Sequence, residues 1–149
     1  MNPPKLRWLA CLAWLCCAGA QAQWLVTEQE ALMSRSAPQM PEAKALPIPD
    51  APRIVLVQPD VSAQVASPTR ILLRFEPGPD GQIRPDTFKV RYGTFRLDIT
   101  SRITSASKVT AEGIDVAEAS LPKGSHRLYL EIQDSLGRVG ERALSFVVQ

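Results

Sequence analysis

The sequence predicts an all-β fold, an antiparallel sandwich of seven to eight strands, and three observations lead to this prediction. Apolar and polar side chains alternate with period two through most of the chain after Arg53, as in half-buried strands. Turn-forming stretches such as residues 77–81 interrupt the alternation about every 8–12 residues. Thirteen prolines and an aromatic content of 6% disfavour long helices. The 149 residues suffice for one domain with an appendage.

Residues 1–22 predict a cleaved secretory signal peptide. Lys5 and Arg7 precede an uncharged apolar run, and Ala20-Gln21-Ala22 places small residues where a signal peptidase needs them. The apolar run, residues 8–18, is shorter than the roughly 20 residues that span a bilayer as a helix. We therefore expect cleavage after Ala22, no membrane span after cleavage, and a periplasmic or secreted protein.

All three cysteines, Cys11, Cys16 and Cys17, lie in this segment. Bulky residues precede Cys16 and Cys17 where a lipoprotein signal needs small ones, so lipidation is less favoured than cleavage, as is an uncleaved anchor. The mature chain then has no cysteine and a single histidine, which disfavours disulfides, thiol chemistry and most zinc sites. We expect no cofactor and no metal.

Two segments lie between the signal peptide and the domain. Thr27 and Glu30 have the spacing of a capping box, which predicts a short amphipathic helix in residues 23–34. Its apolar residues Trp24, Leu25, Leu32 and Met33 are candidates for docking on a partner, although a frayed terminus is equally compatible with so short a helix. Five prolines in residues 35–52 predict a flexible, extended tether.

The domain occupies residues 53–149. Alternation is clearest where leucines and an isoleucine share one side of residues 126–132 and Arg127, Tyr129 and Glu131 share the other. No segment shows a helical period long enough to cover a sheet. The predicted strands are residues 54–57, 69–75, 87–92, 95–99, 108–111, 114–119, 126–132 and 143–148.

The end of the chain reads LPKGSHRLYLEIQDSLGRVGERALSFVV, and this run resembles the last two strands of bacterial immunoglobulin-like or fibronectin-III-like domains. The stretch RIVLVQPDVSAQVASPTRILLRFEP is similar to their first two strands, and IRPDTFKVRYGTFRLDITSRI resembles the central strands of small exported proteobacterial proteins of unknown role. The resemblance implies an immunoglobulin-like β-sandwich. It brings no catalytic residue, because such domains mostly bind, space or scaffold.

Basic side chains mark one candidate binding face. In an immunoglobulin-like order, the third, fourth and penultimate strands share a sheet. Their outward side chains would include four cations and one tyrosine, tempered by Asp98 and Glu131. The alternative is an ordinary solvated face, whose charges prevent aggregation of molecules through their strand edges. The candidate residues are Lys89, Arg91, Arg96, Arg127 and Tyr129.

Three other residues are expected to be structural. His126 lies where a ring nitrogen can bond a backbone group across the corner before the penultimate strand. Asp134 and Gly137 fit a hairpin turn, because Asp accepts turn N–H bonds and Gly adopts positive φ. Several aspartates raise the question of calcium, but their spacing matches no calcium loop.

Two functions from different classes remain open. The first is a non-catalytic exported module that binds a protein or an anionic envelope component. The second is a structural or accessory subunit of an envelope complex, docked through its N-terminal helix. An enzyme is a distant third. Once Lys5 and Arg7 are removed, basic and acidic residues balance, so nucleic acid is not an expected partner. The sequence specifies no oligomeric state.

Overall fold

The computed structural model describes residues 23–38 and 48–149. Within them, two four-stranded sheets pack face to face, with strand orders β1-β6-β3-β2 (sheet I) and β5-β4-β7-β8 (sheet II). The elements are β1 (Gln23–Trp24), α1 (Glu28–Ser36), β2 (Arg53–Gln58), β3 (Thr69–Glu76), β4 (Ile83–Tyr92), β5 (Leu97–Asp98), α2 (Thr100–Ala106), β6 (Gly113–Ser120), β7 (Gly124–Asp134) and β8 (Val139–Val148).

The predicted immunoglobulin-like sandwich is confirmed. Adjacent strands within the described sheets are antiparallel, except that β1 runs parallel to β6. Strands β4, β5 and β7 share sheet II, as the immunoglobulin-like order requires. This order places the outward side chains of β4 and β7 on one surface.

The core follows from the alternation along the strands. Every second residue of β7 is buried, and Phe75 of β3 meets Phe88 of β4 with ring centroids 5.4 Å apart, so the two sheets touch through aromatic rings. The inward-facing side chains that fill the space between the sheets are buried, among them Phe75, Phe88, Val90, Leu128, Leu130, Ile132 and Phe146.

The predicted strand over residues 95–99 is wrong in most of its length. Arg96 adopts a φ of 52°, which turns the chain, so this residue lies in the β4–β5 turn. The Asp98 carboxylate then accepts the backbone N–H of Thr100 at 2.8 Å, where α2 begins. Ile103 anchors this seven-residue helix in the core. A local hydrogen bond and one buried side chain thus override the period-two pattern.

The predicted strand over residues 108–111 is also absent. The backbone instead turns there, with Thr110 and Gly113 exchanging hydrogen bonds of 2.9 and 3.3 Å. Gly113 has a φ of 149°, and a Cβ at this position would overlap the Leu73 carbonyl of the neighbouring strand. The chain therefore needs glycine to begin β6 in contact with β3.

The N-terminal segment folds onto its own domain. Thr27 and Glu30 form both bonds of the capping box, at 2.9 and 3.3 Å. The helix ends at Ser36, beyond the predicted limit of residue 34. Leu25 and Val26 are almost fully buried, and the Leu25 N–H extends the β1–β6 pairing by bonding the Ser120 carbonyl at 3.1 Å. We call residues 23–36 the N-terminal arm.

The predicted tether, residues 35–52, is shorter than the composition suggests. Arg35 and Ser36 belong to α1. Pro52 is buried beside β8, where a Cβ on Gly140 would overlap its carbonyl group. Packing against the sandwich thus fixes both described ends of this segment. Residues 39–47 of the tether and the signal peptide, residues 1–22, lie outside the described residues.

The β7–β8 hairpin is built on Asp134, whose side chain has no exposed surface. Its carboxylate accepts the backbone N–H groups of Leu136 and Arg138, both at 3.0 Å, and the Arg138 Nε–H at 2.7 Å. Burial alone would raise the pKa of Asp134, but these bonds outweigh burial and lower it. Gly137 completes the turn with a φ of 75°.

Replacing Leu130 with Ala is expected to lower the free energy of unfolding by about 2–5 kcal/mol, because it leaves a cavity between the sheets. Chemical denaturation measures this change. Leu136→Ala is the matched control, since Leu136 is exposed in the hairpin turn and should change stability by less than about 0.5 kcal/mol. Equal losses at the two positions would contradict the assigned faces of β7.

Candidate functional site

The five predicted face residues lie on the outer side of sheet II. Lys89 and Arg91 come from β4, and Arg127 and Tyr129 come from β7. Arg91 pairs in register with Tyr129. From the β4–β5 turn, the Arg96 guanidinium carbon stacks 3.3 Å from the centre of the Tyr129 ring. The structure therefore brings all five side chains onto one surface, with Arg96 placed by a turn rather than a strand.

One end of this surface carries both signs of charge. Arg91 Nη1 lies 3.3 Å from Glu131 Oε2, and Lys89 is opposite Glu131 in the β4–β7 register. Asp98 of β5 lies opposite Arg91 in the β4–β5 register. Hydrogen bonds from Thr100 chiefly lower the pKa of Asp98, and the positive charges of Arg91 and Lys89 lower it further. At this end, neighbouring acids offset much of the basic charge.

The opposite end of the surface opens into a groove of about 390 Å³. Among the described residues that line it, the charged side chains are two arginines, Arg35 from α1 and Arg127 from β7. Hydroxyl groups supply most of its remaining polar lining. We call it the arginine groove. Its lining residues are Ser34, Arg35, Val61, Ser62, Ala63, Gln64, Thr94, Ser125, His126, Arg127, Ser145, Phe146 and Val147.

Arg35 is a groove residue that the sequence analysis missed. Its Nη1 donates to the Lys123 carbonyl at 2.9 Å, and the guanidinium lies against Gly124 so closely that a Cβ there would overlap it. The sequence analysis placed Arg35 in the tether. The capping box at Thr27 could have located Arg35, because it marks where α1 begins. A helix that starts there and ends two residues later than expected includes Arg35.

The other arginine is positioned by the sheet. Arg127 projects from the outer face of β7, and its Nε donates to Ser145 Oγ of β8 at 3.2 Å. At the neighbouring edge of the groove, Ser34 and Thr94 join α1 to the β4–β5 turn by two hydrogen bonds of 3.2 and 3.1 Å. The groove is therefore formed jointly by the N-terminal arm and sheet II.

His126 lies beneath the groove and is 3% exposed. Its Nε2 lies 2.6 Å from the Pro122 carbonyl, and its Nδ1 lies 2.9 Å from the Tyr92 hydroxyl. A carbonyl only accepts, so Nε2 carries the proton and Nδ1 accepts from Tyr92. The ring thus bonds a backbone group across the corner before β7, and both nitrogens are engaged in structural bonds.

Burial governs the titration of this buried pair. It lowers the pKa of His126; the bond to Pro122 opposes this shift, and the nearby positive charge of Arg35 adds to it. Burial also raises the pKa of Tyr92 to about 12, with a smaller opposing effect from Arg35. His126 is therefore neutral in the folded protein near neutral pH.

The four predicted docking residues of the helix divide between two surfaces. Leu25 is buried in the protein's own core, which contradicts its assignment to a partner. Trp24, Leu32 and Met33 are 58%, 59% and 49% exposed. Burial of Leu25, Val26 and Ala31 against the sandwich orients the arm and leaves these three side chains outward.

Residues 23–38 and 48–149 contain no group of three or more His, Cys, Asp or Glu side chains arranged to hold a metal ion. In the same residues, no helix has the length and apolar character needed to cross a bilayer.

Comparisons with known proteins assign no family. No family model matches the chain. No curated protein matches it significantly. Among solved structures, it is similar to CopC from Methylosinus trichosporium OB3b, with a TM-score of 0.41 and 19% sequence identity, over 64% of this chain and 93% of that chain. A similarity of this size supports no argument about family or function.

We expect acid to destabilise the fold through His126. The unfolded chain binds a proton at the ordinary pKa of 6.5, whereas the folded protein resists protonation, so stability falls as pH drops below 6.5 towards the lowered folded pKa. Thermal unfolding from about pH 8 to about pH 5 measures this loss. The variant His126→Gln should lack this part of the acid loss. Parallel pH profiles for parent and variant would contradict the assignment.

Proposed function

We propose that this protein is a non-catalytic exported module that binds an anionic component of the bacterial envelope. The binding surface is the outer face of sheet II together with the arginine groove. The observation that carries the proposal is the convergence of Arg35 and Arg127 on one hydroxyl-lined groove. Guanidinium groups bind carboxylate and phosphate groups well, because their planar N–H donors match these anions in geometry and charge.

The distribution of charge indicates which end of the surface would contact the charged group of the partner. Acids lie beside Lys89 and Arg91, so that end gains little from an anionic partner. At the groove, Arg35 brings a positive charge beside serine and threonine side chains. Tyr129 lies between the two ends, where the Arg96 guanidinium stacks on its ring. An anionic polymer would therefore bind with its charged group at the groove and the rest of its length along the sheet.

Export is part of the proposal and rests on the N-terminal sequence. The basic start, the apolar run and Ala20-Gln21-Ala22 support cleavage after Ala22. Strand β1 starts at Gln23, the residue that such a cleavage leaves first, so the processed chain retains the whole arm. In this proposal the protein acts in the periplasm or outside the cell, where acidic polysaccharides and lipopolysaccharide phosphates are available.

Replacing Arg91, Arg96 and Arg127 together with Ser is expected to abolish most retention of the protein by immobilised envelope extract. Parent binding should weaken as salt rises, because exposed charges are screened beyond ~8 Å at physiological ionic strength. The measurement is the retained fraction across a salt series, with circular dichroism to verify folding.

The matched control replaces three basic residues away from sheet II, namely Arg53, Arg74 and Lys108, with Ser. Both triple variants remove the same net charge, so a nonspecific charge effect would reduce retention equally in both. Loss of retention only in the sheet II variant supports the proposal. Equal retention by the two variants would show that the basic face is only a solvated surface.

A second candidate function is supported by the outward side of the N-terminal arm. Trp24, Leu32 and Met33 expose large apolar side chains, which favours docking on a partner subunit of an envelope complex. Deleting the arm would not test this candidate, because deletion also removes Leu25 and Val26 from the core.

The variant Trp24→Ser, Leu32→Ser, Met33→Ser separates the two candidates. If the arm docks on a partner subunit, this variant should lose the envelope proteins that co-purify with the parent and keep its salt-sensitive retention by envelope polymers. Unchanged co-purification would remove the second candidate.

A further inference from the structure

We propose that the arginine groove binds a phosphorylated sugar, with Arg35 as the main phosphate ligand. This inference rests on the proposed function and narrows it, since it names the chemical group that the groove recognises. The phosphate would lie between α1 and β7, and the hydroxyl-lined part of the groove would contact the sugar.

Arg35 is held at the groove by few of its own donors. A guanidinium has five N–H donors, and the described contact of Arg35 is one bond to the Lys123 carbonyl. That carbonyl and the Gly124 backbone fix the position of the guanidinium while leaving its remaining donors for a ligand. The positive charge of Arg35 also lowers the pKa of the buried His126 and opposes the raised pKa of Tyr92, so its electrostatic effect extends to the base of the groove.

The lining of the groove also suits a small sugar. Serine and threonine residues from α1, the loop at residues 61–64, the β4–β5 turn, β7 and β8 line one space of about 390 Å³. This volume lies at the lower end of ligand pockets, which suits a ligand of monosaccharide size. The hydroxyl groups of Ser34, Ser62, Thr94 and Ser145 also take part in hydrogen bonds within the protein. The lining is mixed: serine and threonine side chains can meet the hydroxyl groups of a sugar, and Val61 and Phe146 can pack against its ring carbons.

A larger groove among the described residues lacks these features. It has a volume of about 1130 Å³ and runs along the edges of β2 and β8. Acidic and basic side chains are mixed in its lining, and Arg142 donates to the Ile54 carbonyl at 2.7 Å, which links the two strands. Its chemistry selects no ligand class.

Calorimetric titration of the full mature chain tests the proposal, with glucose 1-phosphate, inorganic phosphate and glucose as probes. We expect glucose 1-phosphate to bind more tightly than inorganic phosphate, and glucose alone not to bind. Arg35→Gln should weaken glucose 1-phosphate binding at least about tenfold, because it removes charge-assisted hydrogen bonds. Arg35→Lys, which keeps the charge and loses the planar fork, should give an intermediate loss.

The matched control is Arg74→Gln, which removes an exposed arginine from the outer side of sheet I and should leave the affinity unchanged. Thermal unfolding of each variant verifies that the arm remains docked. Three results would each overturn the proposal: no binding of glucose 1-phosphate by the parent, equal affinities for Arg35→Gln and the parent, or glucose binding as tightly as glucose 1-phosphate.

Envelope retention, measured in the same preparations, separates this inference from the proposed function. Retention that depends on sheet II without glucose 1-phosphate binding would overturn the groove assignment alone. Glucose 1-phosphate binding that depends on Arg35, without envelope retention, would support the groove assignment and overturn the envelope role. Purified lipopolysaccharide, added as a competitor of glucose 1-phosphate binding, distinguishes a sugar phosphate carried on a polymer from a free one. If the natural ligand is carried on a polymer, lipopolysaccharide should displace glucose 1-phosphate at a phosphate concentration below that of the glucose 1-phosphate it displaces.

Discussion

The docking of the N-terminal arm on the sandwich is the contact on which the candidate site depends. A helix of nine residues is marginal by itself in water. Burial of Leu25 and Val26 supplies the missing stability, at about 1.5–3 kcal/mol for each fully buried side chain. Two hydrogen bonds of 2.7 Å between Glu30 and Arg102 then fix α1 to α2. The bonds from Arg102 are the main reason why the pKa of Glu30 is lowered to about 2. Arg35 reaches the groove because this contact orients α1.

The same contact protects an edge of the protein. Strand β6 would otherwise present unpaired backbone groups at the border of sheet I, and exposed edges promote aggregation. Strand β1 and the Leu25 N–H cover the end of β6 through pairing with Ala119 and Ser120. One short segment therefore covers one end of a sheet edge and forms a wall of the groove. A change that loosens the arm would affect both stability and binding.

The sequence predicted the elements whose stability is local or whose side chains alternate strongly. Strand β7 is an example, because Leu128, Leu130 and Ile132 face the core and Arg127, Tyr129 and Glu131 face outward at the alternate positions. The sheet assignment of Lys89, Arg91, Arg127 and Tyr129 was also predictable, since strand order in this fold follows from topology. Failures arose where distant contacts decide. Helix α2 depends on the burial of Ile103, and Arg35 depends on a bond to Lys123, 88 residues away in sequence.

The position of Arg35 also couples the groove to the buried histidine. Its positive charge contributes to the lowered pKa of His126, although burial is the larger cause. An anion bound to Arg35 would offset that charge, so the imidazole would accept a proton more readily in the bound state than in the free state. Linkage makes the effect reciprocal, so protonation of His126 would strengthen anion binding by the same factor. If the groove binds an anion as proposed, acid would act on this protein in two opposing ways, since protonation of His126 would destabilise the fold while the added positive charge would favour the bound anion.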